Sequence, residues 1–302
     1  MYINIFQEHL YMKIFLHNPS HNGDQLITLG IVKKIVNDNL EREFILVPAC
    51  ASYLFNELLT DRVTIEEHPV IWNNNTNVFN EKNFLSENHD TLWNYYKGNI
   101  YINTWKLLVQ DNYNCISLVD RPEFIKNMLA QIKSQTGIEI CFNCDNYKEL
   151  IPILPYIDMG SIREKLRSYN KKIIFFYNQN SFCGIESSYP SDINETTIKK
   201  LVDSYGEDHI IILSKPCNII HKNLTNVETE FNNIPSFNGK NLCINANIAN
   251  LCDEVYFKNN GGSLFILNLE NISNKNVKYT FIGDNIYRQI ILDEYGLNLC
   301  VK

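Results

Sequence analysis

The chain has 302 residues, 45% hydrophobic and 20% charged, a balance typical of a folded globular protein and a length that suits two domains of about 150 residues each. With a formal charge of -7 and no basic run longer than the pairs Lys33-Lys34, Lys171-Lys172 and Lys199-Lys200, it lacks the clustered Lys and Arg that a nucleic-acid partner requires. Met1–His9 is polar and no apolar run approaches the roughly 20 residues of a membrane span, so a cytoplasmic protein with neither signal peptide nor membrane span is expected.

Residues 1–11 read as an extension, and Tyr11–Leu16 as the first strand. Gln25–Val36 then places Ile27, Ile31 and Ile35 at i, i+4 and i+8, with Leu26, Leu29, Val32 and Val36 widening the apolar face of a helix. Glu43–Val47 reads as a strand, Ala51–Leu59 as a second helix, and Val63–Glu66, Ile100–Asn103 and Ile116–Val119 as short strands. Trp72–His89 is polar, rich in Asn and without period, the signature of a long surface loop. Pro122–Thr136 predicts a helix with Pro122 in its first turn.

A domain boundary is expected near Tyr169–Lys172, dividing the chain into 1–170 and 171–302. Beyond it, Ile173–Tyr177 is a fully apolar strand. Asn194–Tyr205 carries Ile198, Leu201, Val202 and Tyr205 at helical spacing, and Gly206 stands where a C-terminal cap belongs. His209–Leu213 and Val255–Phe257 read as strands, Leu242–Leu251 as a helix, and Gly262–Leu267 as the opening of another helix. Tyr279–Ile282 and Ile286–Tyr295 complete the pattern as strand and helix. Alternating strands and helices argue for parallel sheets, and the fold class expected is α/β, with two Rossmann-like, doubly wound domains facing a cleft.

Nine scattered cysteines, an odd number, suit buried thiols in a reducing compartment. Cys141-Phe-Asn-Cys144 is the sole CxxC pair, and neither a second pair nor a suitably spaced histidine follows it. Core cysteines are therefore expected there rather than zinc ligands, and no metal site is expected elsewhere.

Ligands of open α/β sheets sit at the carboxyl ends of strands, which directs attention to four loops. Asn18-Pro-Ser-His-Asn-Gly-Asp24 follows the first strand and opens a helix. Asp24 there fits either a helix cap or a general base projecting toward substrate, with His21 and Asn22 beside it. Asn103 and Trp105 leave a strand at what should be the same edge, as amide and stacking surface for a sugar, unless Trp105 is core. Asn178, Asn180 and Ser181 lie in the polar loop after Ile173–Tyr177. Asn260, Gly261, Gly262 and Ser263 form a turn whose backbone N–H groups would converge on a phosphate or diphosphate, although two glycines after a strand also make an ordinary tight turn.

Two stretches carry a family resemblance. His21-Asn-Gly-Asp-Gln-Leu-Ile-Thr-Leu-Gly-Ile-Val-Lys-Lys-Ile35 resembles the GDxLxTxPxLxxL opening of heptosyltransferase-like glycosyltransferases (family 9 and relatives). Gly239 to Leu267 looks like the family's helix, strand and D-[ST]-G turn that contacts the donor. The resemblance implies a GT-B fold and an inverting, metal-independent glycosyltransferase with a nucleotide-diphosphate sugar as donor, a glycan or other hydroxyl acceptor, and no cofactor. It also implies that Asp24 is the general base and that the diphosphate lies against Asn260–Ser263. The turn departs from the family pattern, with Asn259-Asn260-Gly261-Gly262 in place of the acidic-hydroxyl-Gly sequence and Phe265 near the usual histidine. No basic residue stands directly after the first strand of the second domain, which leaves Lys215 or Arg288 to meet the diphosphate. Two other readings stay open: a catalytically degenerate GT-B domain that binds a glycan or protein, and a polysaccharide pyruvyl transferase-like enzyme, whose Arg-x-His signature is absent.

Overall fold

The structure, a computed structural model, describes residues 12–20, 22–66, 91–110, 114–116, 119–178, 191–232, 241–258, 262–282 and 299–301. The chain forms two compact units, Met1–Pro152 and Ile153–Lys302.

In the first unit, β1 (Ile14–Asn18) leads into α1 (Asn22–Asn37), followed by β2 (Phe44–Pro48) and β3 (Val63–Ile65). The hairpin β4 (Trp93–Tyr96) and β5 (Asn99–Asn103) completes a sheet of order β3-β2-β1-β5-β4, parallel except for the β4 edge. Of the apolar stripe expected on α1, Ile27 is half-buried and the other six residues are buried, and so are Gln25, Thr28 and Gly30. The helix is covered on both sides because the turn at Tyr147–Leu150 lies across it. A Cβ on Gly30 would come within 2.5 Å of the Leu150 carbonyl oxygen, so only glycine lets the two backbones approach this closely. A short antiparallel pair, β6 (Val109–Gln110) and β7 (Asn114–Cys115), precedes α2 (Arg121–Thr136). Pro122 sits in the first turn of α2, and Gly137 ends it at φ 72 with its N–H on the Lys133 carbonyl.

The second unit opens with α3 (Gly160–Ser168), β8 (Lys172–Tyr177), α4 (Ser191–Ser204) and β9 (His209–Leu213). After β10 (Leu224–Asn226), α5 (Val227–Phe231) and α6 (Asn241–Asn250) come β11 (Glu254–Lys258), α7 (Leu269–Ser273), β12 (Lys278–Ile282) and β13 (Leu299–Val301). All six strands are parallel, in the order β10-β9-β8-β11-β12-β13. Counted from β8 this is 3-2-1-4-5-6, the strand order of dinucleotide-binding sheets, with its reversal between β8 and β11. Ile198 and Leu201 of α4 pack on Ile174, Phe176 and Tyr256. On the opposite face Leu242 of α6 and the Tyr177 ring both close on Gly262. The continuous apolar run of β8 is explained by this cover on both faces.

Several expectations need correction. The segment at Ala51–Leu59 is a 3-10 helix over Ser52–Leu58 that starts from a left-handed Ala51 (φ 53); burial of Leu54, Phe55 and Leu58 satisfies either helical form, so the apolar spacing could not separate them. The strand expected at Ile116–Val119 is displaced. Asn114–Cys115 pairs with Val109–Gln110, and Val119 stands exposed in the turn before α2. Gly206 does not take a left-handed cap conformation; its carbonyl instead accepts from the His209 N–H and the Asn223 amide. The unit boundary falls before α3 rather than at 170/171. Lys165 of α3 reaches Glu230 of α5 at 3.2 Å, which ties that charged helix to the second unit. Gly262–Leu267 is a 3-10 helix over Ser263–Leu267 followed by α7, not one continuous helix, because Asn268 breaks it and caps α7 through the Asn271 N–H. The loop expected at Trp72–His89 and the helix at Ile286–Tyr295 lie outside the described residues.

Candidate functional site

Each unit offers a carboxyl edge, built on different chemistry. In the first unit β1 ends at Asn18, buried to 3% exposure. Its Nδ2 donates to Thr28 Oγ1 at 3.1 Å and to the Asp24 carbonyl at 3.2 Å, while its Oδ1 accepts from the Ser20 N–H at 2.9 Å. Gln25, fully buried, donates from Nε2 to the carbonyls of Asn18 and Ser20 at 2.9 and 3.0 Å. Its Oε1 is buried without a hydrogen-bond partner among the described residues. Together these bonds fix the connection from β1 to α1 against both the strand and the helix, and a loop so over-determined holds its side chains in place.

Asp24 is the third residue of α1, not its cap. The described helix starts at Asn22, so the half-buried carboxylate lies in the first turn, where the helix dipole favours negative charge. Asn22 is exposed at the helix start. The parallel register of β1 and β5 sets His17 opposite Asn103, so Asn103 and Trp105 emerge at the same edge as Asn18, as the sequence predicts. Asn103 is fully buried, and its Oδ1 accepts from the backbone N–H groups of Trp105 and Lys106 at 3.1 and 3.4 Å. Its amide therefore shapes the turn. Trp105 is half-buried, with the Lys106 ammonium 5.4 Å from its ring centroid.

In the second unit, Glu254–Lys258 and Lys172–Tyr177 are neighbouring strands, with Phe257 opposite Tyr177. The loops that follow them therefore leave the same edge, at the point where the strand order reverses. Asn178 continues β8 and is buried. Its backbone N–H donates to Ser214 Oγ at 3.1 Å, its Oδ1 accepts from Ser214 Oγ and the Lys215 N–H at 3.0 and 2.9 Å, and its Nδ2 donates to the Lys215 carbonyl at 3.1 Å. Asn178 thus clamps the ends of β8 and β9 together. Lys215 directs its ammonium to Glu228, 2.5 Å away. Gly262 touches the Tyr177 ring so closely that an added Cβ would overlap the hydroxyl and lie 2.7 Å from Cζ. Ser263 is buried at the start of its 3-10 helix, and burial pushes the Tyr177 phenol well above its usual pKa.

The sequence singles out neither Gln25 nor Lys258. Lys258, the last residue of β11, is 8% exposed, and burial lowers its ammonium pKa to about 8. A lysine closing an otherwise apolar strand, Val255-Tyr-Phe257, was the available signal. His21, Asn180, Ser181, Asn260, Gly261 and Arg288 lie outside the described residues. Among the described residues, no three His, Cys, Asp or Glu side chains come together in a metal-binding group, and no helix is long and apolar enough to cross a membrane.

Neither a family model nor a curated protein matches the chain. Solved structures similar to it include a glycosyl transferase family 9 protein of Veillonella parvula, 11% identical with a TM-score of 0.46, the match covering 97% of this chain and 86% of that one. The ADP-heptose LPS heptosyltransferase II of Escherichia coli is 10% identical with a TM-score of 0.45, over 96% and 90% of the two chains. The E. coli heptosyltransferase WaaC with ADP-2-deoxy-2-fluoro heptose is 12% identical with a TM-score of 0.41, over 96% and 93%. Similarity this low assigns no residue a role.

Proposed function

We propose that the chain is a glycosyltransferase that moves a sugar from a nucleotide-diphosphate donor to a hydroxyl acceptor, with inversion and without a metal ion. The observation that carries this reading is the second unit's parallel sheet in the order β10-β9-β8-β11-β12-β13, an order suited to nucleotides, with its reversal at Tyr177 and Lys258. The first unit supports it with a carboxylate in the opening turn of α1, a turn that the Asn18–Gln25–Thr28 hydrogen bonds fix in place.

In this mechanism the Asp24 carboxylate takes the proton of the acceptor hydroxyl as that oxygen attacks the anomeric carbon. The bond from the anomeric carbon to the phosphate oxygen breaks, and the nucleoside diphosphate leaves with its electron pair. Attack opposite the leaving group inverts the anomeric centre. Trp105 offers a stacking face for the acceptor sugar, Asn22 and His21 are further acceptor contacts, and the turn at Asn260–Ser263 receives the donor with Asn180 and Ser181. Asn178 and Asn103 shape their loops, and Lys215 reaches the donor only by leaving Glu228.

The test begins with a thermal-shift screen of UDP-, GDP-, ADP- and CDP-sugars. A bound donor at a hundredfold excess over its dissociation constant stabilises the fold by about 2.7 kcal/mol. Mass spectrometry of acceptor glycans incubated with the best binder then identifies the transferred group, and a pyruvyl rather than glycosyl increment would overturn the assignment. Asp24→Ala should lower transfer at least about a hundredfold with donor affinity retained. Undiminished transfer by that variant removes Asp24 as the base. Binding of no nucleotide sugar at all would favour a glycan- or protein-binding module instead.

A further inference from the structure

Gln25 follows Asp24 in the opening turn of α1 and is fully buried. A buried glutamine ordinarily engages both ends of its amide in hydrogen bonds, and this one engages only the nitrogen. Nε2 donates to the Asn18 carbonyl at 2.9 Å and to the Ser20 carbonyl at 3.0 Å. Both targets are acceptors, so the amide cannot be turned over. Oε1 is left buried without a hydrogen-bond partner among the described residues.

The two carbonyls do not depend on this amide. That of Asn18 also accepts from the Ala49 N–H at 3.1 Å, and that of Ser20 from the Cys50 thiol at 3.7 Å. Removing the Gln25 amide therefore orphans neither carbonyl, and it removes a buried oxygen whose desolvation no bond offsets. A methionine has the same reach and fills the same space without that oxygen. Packing and hydrogen-bond satisfaction alone would favour methionine here. Asn18 stands in contrast. Its amide uses both ends, Nδ2 on Thr28 Oγ1 and Oδ1 on the Ser20 N–H, so it serves stability as well as position.

What the Gln25 amide adds is a tie. The side chain leaves the residue adjacent to Asp24 and reaches back five and seven residues, to the loop and to the end of β1. It thereby fixes the first turn of α1, in distance and in rotation, against the strand. We infer that Gln25 is a positioning residue, which holds the Asp24 carboxylate in its working place while leaving one buried acceptor unsatisfied. The inference deepens the acceptor-side reading of the first unit and rests on Asp24 as the base.

The experiment pairs steady-state kinetics with urea unfolding on the full chain. Gln25→Met should lower kcat by about 10- to 100-fold, the loss expected from a small misplacement of a reacting group, with donor KM within about twofold. Its urea midpoint should equal or exceed that of the unaltered chain, whereas loss of a structural glutamine would lower it. In the Asp24→Asn background Gln25→Met should change kcat no further, because the group it positions is gone. A Gln25→Met chain that is less stable or unfolded, that keeps full kcat, or whose loss multiplies with that of Asp24→Asn overturns the inference. Failure of the transferase reading looks different. A chain that transfers no sugar, or whose Asp24→Asn variant is fully active, loses the base. Hydrogen exchange at the Ser20 amide, bonded to Asn18 Oδ1, then decides for Gln25 by itself. Faster exchange in Gln25→Met at an undiminished urea midpoint keeps Gln25 as the tie of this turn, and unchanged exchange removes it as well.

Discussion

The first strands of the two units, β1 and β8, both end in a buried asparagine, Asn18 and Asn178, yet the two amides act in different directions. Asn18 reaches forward to Thr28 and the Asp24 carbonyl, fastening the strand to the helix that follows it. Asn178 reaches sideways to Ser214 and Lys215, fastening β8 to its neighbour β9. Behind the first stands a carboxylate in a helical turn; beside the second stands a buried ammonium. The same residue at the same topological position therefore fastens strand to following helix in one unit and strand to neighbouring strand in the other. The hydrogen-bond direction of an edge residue, rather than its identity, tells the two apart.

The largest expected effect comes from separating the two edges kinetically. Asp24→Asn should lower kcat by about 10²- to 10⁴-fold with donor KM nearly unchanged, since a base acts only in the chemical step. Steady-state kinetics at varied donor concentration would break the comparison if the variant moved donor KM instead of kcat.

Next in size is the close packing that the second edge requires. Gly262→Ala forces its Cβ onto the Tyr177 ring, and overpacking of this kind costs about 1–3 kcal/mol. Tyr177→Phe removes the nearest atom, so the double variant should lose less than the sum of the single changes. Urea unfolding measures all four proteins. Additive losses would mean that Gly262 is held by something other than the ring.

The asparagines give a smaller and more discriminating pair. Each change to alanine leaves buried groups without their partners and should cost about 1–3 kcal/mol. Asn18→Ala should also depress kcat, because it releases the turn that carries Asp24. Asn178→Ala should act on stability with a lesser effect on kcat. Equal kinetic effects would erase the distinction between forward and sideways fastening.

Much of this was legible in the sequence for physical reasons that can be named. The strand β8 reads as a run of Ile, Phe and Tyr because parallel strands are covered on both faces, and α4 declares its face through Ile198, Leu201 and Val202. The edge strand β4 is half-exposed and carries no such run. Its turn was nonetheless written in Lys97-Gly98, both at positive φ (48 and 78), as a two-residue hairpin demands. Helix α3 has an apolar stripe at Ile162 and Leu166, but a stripe does not state which core it joins, and so the unit boundary was misplaced. A cap stayed open as one reading of Asp24 because local sequence does not fix a helix start to within two residues. Lys258 was signalled only weakly, by closing an otherwise apolar strand, because its burial is supplied by β8 and β12, distant in the chain.

That desolvation gives the smallest predicted effect. In the folded chain the ammonium titrates near pH 8, against a usual value of 10.5. Between these values the unfolded chain binds more protons than the folded one, so this group's contribution makes stability rise with pH across that window. Below pH 8 the folded state carries the full penalty of a buried charge. Lys258→Met should therefore be more stable than the unaltered protein at pH 7, by about 1–2 kcal/mol once solvent access at the strand end is allowed for. The advantage should shrink as pH rises from 8 toward 10. Taking the difference between the two proteins at each pH cancels the tyrosines whose phenols are raised by burial. If instead Lys258→Met is the less stable protein at every pH, the lysine contributes through its contact with Phe176, and the contrast between the two edges rests on the carboxylate alone.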